Sequence, residues 1–146
     1  MSIWFNDEFP LAHAIERHAD TLSGNLGIEF IEAGESFLRG RMPVDERTVN
    51  PSGVLHGGAS IAFAESLGSY AGNLVVDSAR QQCVGLEING NHVRPVQAGA
   101  YVYGTARPEH LGSKTQIWQI RIENEQNKLV CLSRITLAVL EKASKY

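Results

Sequence analysis

The chain has 146 residues, of which 43% are hydrophobic and 20% charged, a composition typical of one soluble globular domain and not of a disordered segment. The formal net charge of −3 at pH 7 argues against nucleic acid or an anionic membrane as a partner, so an anionic ligand would require a local basic patch. We find no apolar run of membrane-spanning length and no signal peptide, and we therefore expect a cytoplasmic protein.

The N-terminal part of the chain predicts a short amphipathic helix followed by two strands. Residues 8–23 carry apolar side chains at helical spacing, and Gly24 marks the end of this helix. The apolar positions are Leu11, Ala12, Ile15, Ala19 and Leu22. Residues 28–33 and 36–42 have the pattern of strands joined by a turn, and Pro43 ends the second. Residues 1–24 are thus a helical extension of a single domain that spans residues 1–146.

The central segment, residues 57–76, predicts a long buried helix. The turn signal Asn50-Pro51-Ser52-Gly53 leads through His56-Gly57-Gly58 into a run of small and apolar residues. A helix that is apolar on all sides belongs in the protein interior. Glu65 is the one acid in this run, and burying an unpaired charge is costly. Glu65 is therefore either held by a structural hydrogen bond or placed there for chemistry.

The second half of the chain predicts four strands after a loop at residues 77–82. These strands are Cys83–His92, Tyr101–Arg107, Gln116–Glu123 and Leu129–Leu140, with a hairpin turn at residues 125–128. The element order of helix, two strands, long helix and four strands predicts an α+β domain. Because the long helix is too apolar for exposure, we expect a curved antiparallel sheet to wrap it and a second subunit to complete the cover.

The two cysteines, Cys83 and Cys131, lie inside predicted strands and lack the spacing of metal ligands. Buried free thiols are the expected state for cysteines in such apolar segments. No metal site is predicted, and the chain has no serine-centred elbow and no phosphate-binding loop with a lysine. These absences argue against an α/β-hydrolase and against a P-loop enzyme.

Several motifs in order resemble the signature of hotdog-fold acyl-CoA thioesterases. The segment 55–60 reads LHGGAS, and Ala64-Glu65-Ser66 follows it. The later motifs are GLEINGNHVR at residues 85–94, HLGSK at 110–114 and WQI at 118–120. Together they look like the phenylacetate-degradation branch, which includes hydroxybenzoyl-CoA and dihydroxynaphthoyl-CoA thioesterases, over about residues 24–140.

The resemblance implies a hotdog fold, a curved antiparallel sheet around a long buried helix. It also implies a homodimer, and we expect two dimers to stack into a homotetramer. The expected activity is hydrolysis of acyl-CoA thioesters with aromatic or medium-chain acyl groups. No cofactor is expected, since coenzyme A is part of the substrate.

Thioester hydrolysis requires a polarised carbonyl and a group that attacks or activates water. Free backbone N–H groups at the start of a helix favour a developing oxyanion, and the resemblance assigns this role to Gly57. A tight helix start is the alternative explanation for the glycine. Glu65 lies two turns further, about 12 Å along the helix axis. By resemblance it acts across the dimer interface, as nucleophile or as general base, while a structurally hydrogen-bonded glutamate is the alternative.

Three further residues are candidate catalytic groups. Ser69 shares the helix face of Glu65 and either orients the carboxylate or a water, or is a small packing residue. His56 by resemblance fixes the loop and the thioester, with a turn histidine as the alternative. Asn50 stands where close relatives often carry glutamine, and its shorter amide would hold the thioester carbonyl or a water.

A second set of residues is expected to bind substrate and coenzyme A. The resemblance puts His92 at the acyl pocket or the pantetheine channel, although a histidine at a strand end is often structural. Arg94 and Lys114 are cations on loops, expected at one sheet edge and suited to phosphates, with Gly112 and Ser113 offering backbone N–H groups. The remaining residues of this set are Gly85, Val93, His110 and Leu111.

Two other functions stay open on the same fold. One is a non-catalytic module that binds acyl-CoA or an acyl carrier protein, and the other is a hotdog dehydratase. A dehydratase would require a different arrangement of acid and histidine on the helix. The presence of Glu65 favours catalysis over binding alone.

Overall fold

The computed structural model describes residues 1–6 and 11–143. The helices and strands are α1 (Leu11–His18), α2 (Leu22–Asn25), β1 (Glu29–Ala33), β2 (Leu38–Pro43), α3 (Gly57–Val75), β3 (Gln81–His92), β4 (Tyr101–Leu111), β5 (Thr115–Glu123) and β6 (Leu129–Glu141). The long helix and all six predicted strands are confirmed. Their ends differ from the predicted ones by at most two residues, except at β4, which continues through Pro108 to Leu111. A bulge between Pro108 and His110 accommodates the proline, which has no N–H to donate to a ladder.

All six strands form one antiparallel sheet in the order β1-β2-β4-β5-β6-β3. Strand β3 follows α3 in the chain but lies at the far edge of the sheet, where β6 is its one partner among the described strands. Its side chains are largely exposed, and Leu86 is 64% exposed. The outer edge of β3 is therefore open to a partner strand.

Helix α3 lies against the inner face of the sheet, in contact with β2 to β6. Small residues bring its backbone close to the strands, since a Cβ atom on Gly68 would lie 2.5 Å from the Cγ2 atom of Ile135. Phe63 and Leu67 fill the space between helix and sheet and are fully buried, as is Trp118 on β5. The predicted α+β architecture, a sheet around a long helix, is confirmed.

The N-terminal region differs from the prediction, because two short helices replace one continuous helix. The hydroxyl of Thr21 donates to the carbonyl of His18 at 2.6 Å, and this turn separates α1 from α2. The predicted apolar face is also wrong: Ile15 and Leu22 are 57% and 62% exposed, whereas Ala14 is fully buried. Helix α1 turns Ala14 and His18, one helical turn apart, toward the body of the protein. Residues 8–10 and the side chain of Ala12 lie outside the described part.

Both cysteines are buried free thiols, as expected. Burial raises the pKa of Cys83 to about 11 and also raises the pKa of Cys131, so neither is a ready nucleophile. Within residues 1–6 and 11–143, no group of histidine, cysteine, aspartate and glutamate side chains is arranged to hold a metal ion. None of the described helices has the length and apolarity needed to cross a membrane.

Candidate active site

The first turn of α3 leaves one backbone amide available. His56 is the N-cap of the helix, and its Nδ1 atom accepts a hydrogen bond from the N–H of Gly58 at 2.7 Å. The carbonyl of His56 accepts from Ala59 and Ser60. The N–H of Gly57 has no hydrogen-bond partner among the described residues. A free N–H at the positive end of a helix is suited to bind an oxygen that carries negative charge.

The imidazole of His56 has a structural role in this turn. Because Nδ1 accepts a hydrogen bond, it is the unprotonated nitrogen, and in the neutral ring Nε2 carries the proton. The backbone N–H of His56 donates to the carbonyl of buried Thr48 at 2.8 Å. The contacts of His56 within this chain are therefore those of a turn histidine.

His92, at the end of β3, lies beside the helix start. A Cβ atom on Gly57 would be 2.9 Å from the Nε2 atom of His92, so the glycine leaves room for this ring. The structure thus brings together three predicted residues, His56, Gly57 and His92. Val93 and Arg94 follow directly: the N–H of Val93 donates to Val130, and Nε of Arg94 donates to the carbonyl of Leu129 at 3.2 Å.

Asn50 supports the loop before the helix. Its Oδ1 atom accepts from the N–H of Ser52 at 3.0 Å and from that of Val54 at 3.4 Å. This arrangement is an Asx turn, in which the side chain replaces a backbone acceptor. Its Nδ2 atom makes no hydrogen bond with a described residue, so the amide hydrogens remain available to a ligand.

Glu65 lies where α3 meets the edge strand. The hydroxyl of Ser69 donates to Oε1 of Glu65 at 3.3 Å, as the shared helix face predicts. A Cβ atom on Gly85 would lie 2.8 Å from the same oxygen. Gly85, predicted only as a substrate-binding residue, is therefore a neighbour of the carboxylate within the same chain.

Asn73 was not among the predicted site residues, yet it holds this part of β3 in place. Its Nδ2 atom donates to the carbonyls of Ser69 and Cys83 at 2.8 and 3.1 Å, and its Oδ1 accepts from the N–H of Cys83 at 2.8 Å. Asn73 continues the i+4 series of Glu65 and Ser69. That spacing is the sequence signal that would have found it.

The predicted coenzyme A residues lie at two ends of the sheet. Arg94 contacts Leu129 at the start of β6. The carbonyl of Lys114 accepts a hydrogen bond from the N–H of Val139 near the end of β6. Ten residues of extended strand separate Leu129 and Val139 by about 33 Å. The expectation that Arg94 and Lys114 lie together at one sheet edge is wrong within this chain, since β6 separates them by most of its length.

The hairpin between β4 and β5 carries the other predicted ligand-binding residues. The N–H of Gly112 donates to the carbonyl of Thr115 at 2.9 Å, and Gly112 packs against the ring of His110. Leu111 is 39% exposed, and Ser113 is also exposed. Lys114 is level with Cys83 across β6, so the hairpin belongs to the end of the sheet where Glu65 lies.

A cleft of about 1110 Å³ extends from Glu65 and Ser69 toward the N-terminal segment and α1. Its walls include Arg17, His18 and Tyr70, none of which the sequence analysis selected. The ring of His18 lies 4.9 Å from that of Tyr70, and burial lowers the pKa of His18 and raises that of Tyr70. No local pattern signals this contact, because α1 and α3 meet only in the tertiary structure.

Comparisons with known proteins identify the family. The model of the "Thioesterase superfamily" matches residues 52–131. The 1,4-dihydroxy-2-naphthoyl-CoA hydrolase of Escherichia coli (strain K12) is 51% identical over 117 residues, 80% of this chain and 85% of that protein. The crystal structure of thioesterase HI1161 from Haemophilus influenzae is 43% identical, with a TM-score of 0.93 and 99% of both chains covered.

Two solved variants of SAV0944, a thioesterase from Staphylococcus aureus, are also similar. The variant with a glutamate replaced by alanine is 31% identical at a TM-score of 0.79, and covers 83% of this chain and 99% of that one. The second variant replaces a glutamine fifteen positions earlier and is 32% identical at a TM-score of 0.77, with 81% of this chain and 97% of that one covered. These findings confirm the hotdog fold and the resemblance to thioesterases: the chain belongs to the thioesterase superfamily and is a thioesterase.

Proposed function

We propose that this thioesterase hydrolyses acyl-CoA esters with aromatic or medium-chain acyl groups to the free acid and coenzyme A. The observation that carries the proposal is the pair of groups on α3. The N–H of Gly57 is unpaired among the described residues, and the carboxylate of Glu65 faces a cleft on the same helix. The name of the Escherichia coli relative, a naphthoyl-CoA hydrolase, supports both the coenzyme A ester and the aromatic acyl group.

In the proposed reaction, the N–H of Gly57 binds the thioester oxygen and stabilises negative charge on it in the transition state. Glu65 either attacks the acyl carbon, forming an anhydride that water then cleaves, or removes a proton from the attacking water. In both routes the C–S bond breaks and the coenzyme A thiolate takes up a proton. Ser69 holds the carboxylate in place. The scheme requires no metal ion and no resident cofactor.

The spacing of the variants in SAV0944 supports Asn50 and Glu65 as members of the site. The glutamine and glutamate replaced there are fifteen positions apart, as Asn50 and Glu65 are here. Asn50 differs in having a side chain one methylene shorter. We propose that its free Nδ2 hydrogens contact the thioester or the water.

We propose that the complete site forms between two protomers. Each protomer carries one half near Gly57, His92 and Arg94, and the other half near Glu65 and Lys114. Antiparallel pairing of two β3 edges places the end of one strand opposite the start of the other. Such a dimer joins the Gly57 half of one protomer to the Glu65 half of its partner and creates two equivalent sites.

The dimer also brings Arg94 of one protomer toward the hairpin of the other. Arg94 of one protomer and Lys114 in the β4–β5 hairpin of the other then lie near one coenzyme A, as a shared role in phosphate binding requires. Stacking of dimers into a homotetramer would cover exposed apolar side chains on the outer face of the sheet. Leu86 on β3 and Leu132 on β6, 64% and 37% exposed, are examples.

The test is release of free thiol from benzoyl-, hydroxyphenylacetyl- and straight-chain acyl-CoA esters. We expect turnover of at least one class, and a loss of kcat by about 10²-fold or more in Glu65→Ala with acyl-CoA affinity retained. Ser69→Ala should lower kcat by a smaller factor, because the hydroxyl only orients the carboxylate of Glu65. Calorimetric binding and circular dichroism check that the variants remain folded. Tight acyl-CoA binding without turnover of any ester would contradict the proposal and favour the binding module.

A further inference from the structure

The wall of the cleft formed by α1 carries one positive charge, that of Arg17. Arg17 and His13 are one helical turn apart on α1 and both line the cleft. Among the described residues of the cleft, Glu65 is the single acid. The described cleft residues thus include two cations, Arg17 and Lys142, and one acid. This excess of positive charge is unusual in a chain with 16 acidic and 13 basic residues, whose net charge is negative.

Arg17 has no partner to neutralise it within residues 1–6 and 11–143. Five other arginines in that part form ion pairs with aspartate or glutamate, namely Arg39, Arg41, Arg47, Arg80 and Arg121. Lys142, the other cation of the cleft, already donates from Nζ to the carbonyl of Ser78 at 2.6 Å. Among the described residues of the cleft, Arg17 is therefore the cation without a hydrogen bond or ion pair, and its planar guanidinium is suited to bind a carboxylate.

The contacts of His18, the next residue after Arg17 on α1, show which part of α3 lies beside Arg17. The ring of His18 packs edge-on against Tyr70 and lies 4.9 Å from the ring of Phe30. Arg17 and Tyr70 both line the cleft that contains Glu65. Tyr70 lies five residues after Glu65, about 7.5 Å along the helix axis. This axial rise is the minimum separation of the two residues, so the cleft has room between them for one aromatic ring or a short extended acyl chain.

We propose that Arg17, with His13 beside it, binds a carboxylate at the far end of the acyl group. The preferred substrates are then coenzyme A monothioesters of dicarboxylic acids, either aromatic or of medium chain length. The separation along α3 keeps the carboxylate of the substrate away from that of Glu65. This inference depends on the proposed function, because it assumes that the acyl group is held in the cleft beside Glu65.

The test compares esters that differ only at the far end of the acyl group. One pair is hexanoyl-CoA and adipoyl-CoA, and the other is benzoyl-CoA and 4-carboxybenzoyl-CoA. For the native enzyme we expect kcat/KM to favour the carboxylated member by about fivefold or more, a modest factor because Arg17 is exposed in the protomer. The preference should weaken as salt is added, since salt screens exposed charges.

Arg17→Gln removes the charge and keeps most of the side-chain length. We expect this change to abolish the preference, mainly through a higher KM for the carboxylated esters. Lys128→Gln, in the hairpin between β5 and β6, changes the net charge equally at a site outside the cleft and should keep the native preference. Circular dichroism of both variants verifies the fold.

The outcomes distinguish the carboxylate site at Arg17 from the proposed thioesterase activity. Equal kcat/KM values for the members of each pair, or a preference that persists in Arg17→Gln, would overturn the inference and leave the thioesterase proposal intact. Equal loss of the preference in Lys128→Gln would also overturn it, because only overall charge would then matter. Failure to hydrolyse any coenzyme A ester would overturn both.

Discussion

The Oε1 atom of Glu65 lies against the backbone of Gly85, so close that a Cβ atom on Gly85 would be 2.8 Å from it. Real Cβ atoms almost never approach an oxygen so closely. The edge strand β3 therefore supplies a wall for the carboxylate, and glycine is required at this position for Glu65 to keep its conformation. Ser69 holds the same oxygen at 3.3 Å.

We predict that Gly85→Ala lowers kcat by about tenfold or more, because the new methyl group displaces the carboxylate from its position. The KM for coenzyme A esters should change less, since this change does not remove a contact to the nucleotide. Thiol-release kinetics measure both. Val84→Ala, one residue earlier on β3, is the matched control for disturbance of the strand. An unchanged kcat in Gly85→Ala would show that the position of this carboxylate does not limit the reaction.

The proposal of a site shared by two protomers predicts complementation between inactive variants. Glu65→Ala removes the carboxylate, and Gly57→Val places a branched side chain where Nε2 of His92 already lies 2.9 Å from a Cβ position. Each variant alone should have little activity. After the two are unfolded and refolded together, mixed dimers contain one intact site, and about a quarter of native activity should return. No recovery in mixed dimers verified by mass spectrometry would place each site within a single protomer.

We predict that Lys114→Ala and Arg94→Ala raise the KM for coenzyme A esters several-fold with a smaller change in kcat, since each removes a cation proposed to bind phosphate. The effect should be larger at low salt, where exposed charges are less screened. A thioester of N-acetylcysteamine has no phosphates and should be hydrolysed equally well by both variants and the native enzyme. A similar loss on that substrate would mean that these residues act on the thioester and not on the nucleotide.

The burial of His18 predicts a stability that depends on pH. Burial and then the charge of Arg17 lower the pKa of His18 below its usual value of 6.5. Between the folded-state pKa and 6.5 the unfolded chain binds more protons than the folded chain, so stability increases with pH in that window. As the pH falls through 6.5, His18 should therefore reduce the free energy of unfolding.

His18→Phe tests this prediction. It keeps the aromatic contacts to Phe30 and Tyr70 and removes Nε2, a buried nitrogen without a hydrogen-bond partner in the described part of the chain. We expect a gain of about 1 kcal/mol in the free energy of unfolding near pH 7. We also expect a weaker loss of stability between about pH 6.5 and 5 in the variant, measured by urea unfolding at several pH values. The same pH dependence in the variant and the native protein would contradict the assignment to His18.

The sequence by itself determined the elements and two central candidates of the site. Helix α3 is predictable because its small and apolar residues suit burial on all sides, and the strands are predictable because their apolar residues alternate. Glu65 was identifiable because it is the single acid of this helix, whereas the role expected of Gly57 came from the resemblance to hotdog-fold thioesterases. The elements and Glu65 rest on local signals, which short stretches of chain carry without reference to their neighbours.

The tertiary structure alone decided which of these elements meet. Strand β3 pairs with β6 and not with β2 or β4, and that pairing puts Gly85 beside Glu65 and His92 beside Gly57. The same register separates Arg94 from Lys114. The spacing of apolar residues in α1 also did not predict how this helix packs, with His18 facing inward and Ile15 outward. Such contacts depend on pairing and packing between distant segments, so they follow from burial in the whole domain and not from local periodicity.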